Sequence, residues 1–132
     1  MNVRYLNQQD RSDAMNGAVI AERKKLSDLL DSKRNQRPFT AELCGENGFM
    51  LVFAIGLGLG FVEHRRIDGD LPYLVAVSPR PPVKRGGIEF LCGGTPTPIP
   101  ARNIISFDEV KEIALHFLQT GERSEAFVWE SI

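Results

Sequence analysis

Seven consecutive apolar residues, Phe49-Met50-Leu51-Val52-Phe53-Ala54-Ile55, follow the turn pair Asn47-Gly48. A strand sends alternate side chains to opposite faces, so a run that is apolar at every position has to be covered on both. The run therefore belongs inside a sheet, with helices on one face and loops or a partner over the other. Asn-Gly between apolar runs is the strongest short hairpin signal. It folds residues 49–55 back, antiparallel, on residues 39–44, where Phe39, Ala41 and Leu43 share a face.

The same period continues downstream. Gly56-Leu57-Gly58-Leu59-Gly60 makes a flexible turn, residues 61–67 return as a more polar strand, and Asp68-Gly69-Asp70 ends it. Residues 73–77 and 88–92 supply two further strands. Between them the basic, proline-stiffened stretch 79–87 is expected to be a loop. Upstream, residues 1–6 predict a short edge strand and residues 14–33 a helix capped by Ser12 or Asp13, with Met15, Val19, Leu26, Leu29 and Leu30 on a sparse apolar side.

The last third carries both signatures of a bounded helix. Ser106 and Glu109 are spaced as a capping box, Ile105 and Val110 as a hydrophobic staple, and Gly121 supplies a left-handed stop. Phe107, Val110, Ile113, Ala114, Phe117 and Leu118 form its buried stripe. A closing strand over 127–132 is expected to pack Trp129 into the core, its indole N–H meeting an acceptor, and to turn Glu130 outward. The predicted fold is α+β: an antiparallel meander of about five to six strands, an N-terminal helix, a capped C-terminal helix and a final strand.

Composition narrows the functional classes. A chain of 132 residues with 42% hydrophobic content is enough for one core, so a single domain over 1–132 is expected. Charge is balanced at 16 basic against 17 acidic residues, which leaves no electrostatic footprint for direct nucleic-acid binding. No stretch has the order of a signal peptide and none approaches the ~18 apolar residues of a membrane span, so the expected address is cytoplasmic. Cys44 and Cys92 are then expected as free, buried thiols.

Motifs for chemistry are weak. The glycine-rich 56–60 stretch is followed by strand pattern, whereas a dinucleotide fingerprint opens a helix. His64, His116, Cys44 and Cys92 lack metal-ligand spacing, and both histidines are expected at the surface. No metal, cofactor or catalytic residue is assigned, and the chain is not expected to be an enzyme. Arg65, Arg66, Arg80, Lys84 and Arg85 have no interleaved aromatics to stack bases, and they alternate with Glu42, Glu46, Glu63, Asp68, Asp70 and Glu89. A surface of mixed sign suits protein recognition.

The ordered combination Glu89-Phe90, Gly93-Gly94, Pro100, Asn103, Asp108-Glu109, Phe117-Leu118, Thr120-Gly121-Glu122-Arg123 and Trp129-Glu130, with Asp70-Leu71-Pro72-Tyr73-Leu74 before it, resembles a family of bacterial immunity proteins from polymorphic toxin systems. The resemblance runs over about residues 38–132. It implies a small α+β inhibitor, encoded beside a secreted toxin, that binds and neutralises the toxin domain; in this family that domain often has a deaminase fold. The expected partner-binding residues are Glu63, Arg65, Asp68, Asp70, Tyr73 and Glu89, chosen for their place on polar strands and turns against the basic cleft of a nucleic-acid-modifying enzyme. Two rivals stand beside this reading. One is a small ligand-binding or enzymatic domain with a pocket between the sheet and the first helix, holding His64 and a cysteine. The other is an assembly subunit joined through the apolar face of residues 49–55.

Overall fold

The doubly apolar run becomes strand β4, Phe49–Gly56, in the interior of one large sheet. The computed structural model describes residues 1–83, 86–92 and 94–132; Lys84 and Arg85 of the basic stretch, and Gly93, lie outside the described residues. Around β4 the described chain places β1 Val3–Leu6, β2 Val19–Ile20, α1 Arg23–Lys33, β3 Phe39–Gly45, β5 Leu59–Arg66 and β6 Leu74–Val77. It continues with β7 Gly87–Cys92, β8 Thr95–Pro100, β9 Ile105–Ser106, α2 Phe107–Thr120 and β10 Val128–Ser131. The fold is α+β with ten strands among the described residues, more than the five to six expected.

The main strand order is β10-β6-β5-β4-β3-β1-β2. Pairing is antiparallel throughout except where β7 meets the start of β3, Phe39 opposite Leu91. Alternation along β4 then fixes the layers. Leu51, Phe53 and Ile55 face α1 and α2 in the larger core, where Leu26, Leu30, Val110, Ile113 and Phe117 are buried. Ala54 faces the other way, into a smaller core with Phe61, Val75, Phe90, Ile99 and Ile104. Cover for that second face comes from the β7–β8 hairpin, so among the described residues no bare apolar face of residues 49–55 remains for a neighbouring subunit; Phe49 and Val52 are half-buried and the other five are buried.

Strand β8, Thr-Pro-Thr-Pro-Ile-Pro, is one of the strands beyond the five to six expected. The Ala101 N–H bonds Gly86 C=O, so the alternation of an antiparallel ladder makes Ile99–Ile88, Thr97–Phe90 and Thr95–Cys92 the hydrogen-bonded pairs. Pro96, Pro98 and Pro100 fall between them. Their missing N–H groups lie on the side facing away from β7, which is how an edge strand tolerates proline.

The N-terminal helix is shorter than the expected 14–33 and has neither predicted cap. Asn7, Asp13 and Asn16 instead tie residues 7–17 into turns: Asn16 Nδ2 donates to Asn7 C=O at 2.9 Å, and Asn7 Oδ1 accepts from the Gln9 and Asp10 N–H groups at 3.0 Å. Such side chains compete with helical bonding. Tyr5 donates to Asp13 at 2.8 Å and Lys33 lies 3.1 Å from the same carboxylate, anchoring the loop to the end of α1. Nor is β1 an edge strand, since it sits between β3 and β2.

Helix α2 is bounded as predicted. Ser106 Oγ accepts the Glu109 N–H at 3.1 Å, Glu109 accepts the Ser106 N–H at 3.0 Å, and Gly121 closes the helix at φ 77°. The β4–β5 hairpin turns at Leu57-Gly58, both with positive φ, the two-residue geometry that matches strand twist.

Candidate functional site

Two features meet at one end of the sheet: the loop joining β5 to β6, and a cavity on the helix-covered face. The loop holds three of the six residues expected to bind a partner, Asp68, Asp70 and Tyr73, and a fourth, Arg65, reaches it from the end of β5. Arg66 grips Asp68, with Nη2–Oδ2 at 2.8 Å, and Asp68 accepts the Asp70 N–H at 2.9 Å. Tyr73 donates to Gly69 C=O at 2.6 Å, and the Arg65 guanidinium lies 5.4 Å from the centre of the Tyr73 ring. The loop is thus held in one shape by its own side chains. The Arg66 hydrogen bond also keeps the Asp68 carboxyl below its ordinary range, so it stays ionised. Ile67 at 47% and Leu71 at 72% exposure flank the two acids, giving an acidic tip with apolar shoulders.

Glu63 and Glu89 do not join this group. Strand β5 lies between β4 and β6, and Glu63, opposite Val52 and Val75, is only 9% exposed rather than part of the acidic surface. Burial raises its pKa, with Arg65 partly opposing. Glu89 is exposed but sits on β7, between Ile88 and the buried Phe90. Arg65 itself is half-buried, and its Nε has no hydrogen-bond partner among the described residues.

The cavity, about 620 Å³, is lined by Phe49, His64, Phe127 and Trp129 and walled by residues 121–125. Its floor crosses the sheet. The His64 ring stacks on Phe49 at 5.1 Å and meets the edges of Phe117 at 6.0 Å and Trp129 at 6.4 Å. Against expectation, His64 is not at the surface: it is 5% exposed, and its buried Nε2 has no partner among the described residues. Burial, with Arg123 adding like charge, lowers its pKa to about 4, so the ring is neutral at pH 7. Its parity on β5 was available as a signal, since His64 follows Val62 on the same face. What hid it is that the aromatic surroundings come from β4, α2 and β10.

Trp129 donates its indole N–H to Ser124 C=O at 2.9 Å while remaining half-buried. Glu130, expected outward, instead accepts from Asn103 at 2.9 Å and pairs with Arg102 on the opposite face. Neither cysteine lines this cavity, and it lies beyond the end of α2 rather than between the sheet and α1. Both thiols are free and half-buried, and burial raises that of Cys44. A cysteine–histidine centre is therefore not assembled. Among the described residues no cluster of three His, Cys, Asp or Glu side chains is placed to hold a metal, and no helix is long and apolar enough to cross a membrane.

A family model for immunity protein Imm1 matches residues 10–131. The chain belongs to the Imm1 immunity protein family. The match begins well before residue 38, so the Asn7–Asp13–Asn16 turns and α1 fall largely within the Imm1 pattern. Membership in Imm1 implies a toxin as partner. No match to a curated protein was found.

Proposed function

We propose that this chain neutralises the toxic domain encoded beside it by forming a one-to-one complex, without chemistry of its own. The toxin is a deaminase-fold or other nucleic-acid-modifying domain, and the complex occludes its active site or holds it inactive. The observation that carries the proposal is the Imm1 match over residues 10–131. Supporting it is a loop with the makings of an interface: Asp68 and Asp70 offer charge for a basic cleft, and Ile67, Leu71 and Tyr73 offer apolar contact beside it. Because the loop's hydrogen bonds already fix its shape, little ordering entropy opposes association.

Protection from a lethal enzyme requires slow release, so the affinity is expected to be nanomolar or tighter, on the order of −12 kcal/mol. The test is to co-express the chain with the C-terminal domain of the neighbouring toxin gene, score growth, and measure stoichiometry by size exclusion with light scattering. Rescue of growth with a one-to-one complex is expected. Absence of both would overturn the proposal. Asp70→Lys is expected to weaken binding at least ~10-fold while leaving the loop's shape, held through Asp68, intact, since the Asp70 side chain is exposed.

A further inference from the structure

We propose that the free edge of β10, together with the cavity beneath Trp129, is a docking site for an extended segment of the toxin domain, which adds to the sheet as a further strand. This rests on the immunity reading above. The first observation is the ladder itself. The Ile132 N–H bonds Tyr73 C=O, so Glu130 and Val128 turn their amides toward β6, while the N–H and C=O groups of Trp129 and Ser131 point outward. No backbone partner meets them among the described residues.

Natural edge strands are shielded by proline, lysine or a covering loop. At the β8 edge, Pro96, Pro98 and Pro100 supply that shielding. On β10 there is no proline and no lysine, and Val128 is 70% exposed. Such an edge is a template for strand addition.

The second observation is the cavity that opens beside this edge. Trp129 forms its outer floor and His64 its inner floor. An added strand sends alternate side chains to the Trp129 face. A large, partly apolar side chain fits the space of about 620 Å³ bounded by Phe49, His64, Phe127 and Trp129. Glu122, Arg123 and Glu125 at the rim carry a net negative charge, which favours a basic residue next to it. The edge is also continuous with the β5–β6 loop through the Ile132–Tyr73 bond, so strand, cavity and loop form one surface. Together they can supply the ~800 Å² per partner of a standard interface.

The test is amide hydrogen exchange by NMR, on the free protein and on its complex with a catalytically inactivated domain from the neighbouring toxin gene. The Trp129 and Ser131 amides are expected to slow at least ~10-fold in the complex. Ser131→Pro removes an outward donor without touching a bond to β6, and is expected to raise Kd at least ~30-fold with an unchanged melting temperature. If the toxin domain binds but these amides exchange as before and Ser131→Pro binds fully, the docking site is wrong and the immunity reading stands. If wild-type protein does not bind the domain, both fall. Protection that appears in the free protein and grows with its concentration would assign the edge to a second copy and overturn the toxin segment.

Discussion

At the scale of single residues, the two informative positions are those where local expectation and environment conflict. The His64 side chain has a pKa of ~6.5 when unfolded and about 4 here. Below pH 6.5 the unfolded chain takes up a proton that the folded chain refuses, so stability is complete above that pH and falls as pH drops toward 4, by about 3 kcal/mol in all. Glu63, raised by burial, acts in the opposite sense, favouring the folded state at low pH and losing that contribution as pH rises. Comparing wild type with His64→Leu cancels Glu63. Urea titrations at pH 7, 5.5 and 4 are expected to show a shallower decline in the variant; equal slopes would mean that His64 is not the titrating group. Leu57 is the other position. It holds φ 55° at a turn where Asn is preferred, with 66% of its surface exposed and little packing to lose. Leu57→Asn is expected to stabilise by about 1 kcal/mol, as a rise in the urea midpoint.

Helix α2 and strand β8 differ as elements in how much of their structure is local. The α2 boundaries rest on hydrogen bonds within four residues, so the sequence spells them out. Ser106→Ala is expected to cost about 1 kcal/mol, read by chemical denaturation, because it leaves the Glu109 N–H without its acceptor. In β8 the prolines argue against a strand unless one knows which side of it faces solvent. Pairing with β7 decides that, and the prolines then fall on the open side. Thr97→Pro is expected to cost roughly 2–3 kcal/mol by removing a ladder donor, while Pro98→Ala stays within about 1 kcal/mol; equal effects at both sites would show the register to be wrong. Strand β5 makes a related point. Gly60 has Val110 and Ala54 C=O so close that a Cβ would lie 2.6 Å from that oxygen, and Gly60→Ala is expected to lower stability by roughly 2 kcal/mol or more in the same assay.

For the whole molecule, net charge of −1 hides an uneven distribution, with Asp68 and Asp70 at one loop tip and Glu122 and Glu125 at the cavity rim. If this end meets a basic toxin cleft, the association rate is expected to fall about tenfold between ~20 mM and ~200 mM salt, and Asp68→Asn with Asp70→Asn to flatten that dependence in stopped-flow measurements. The sequence alone determined whatever depends on neighbours along the chain: the capped helix, the hairpins at Asn47-Gly48 and 56–60, and the demand of residues 49–55 for cover on both faces. It also placed Asp68 and Asp70 in one turn, while Tyr73, expected to open the next strand, belongs to the loop. Only the tertiary structure decided what supplies the cover, that Glu63 is buried while Asp68 is not, and that His64 is enclosed by aromatics from three other elements. Those outcomes depend on strand order and on contacts far apart in the chain. Alternation says which residues share a face, but burial is fixed by what is folded over that face.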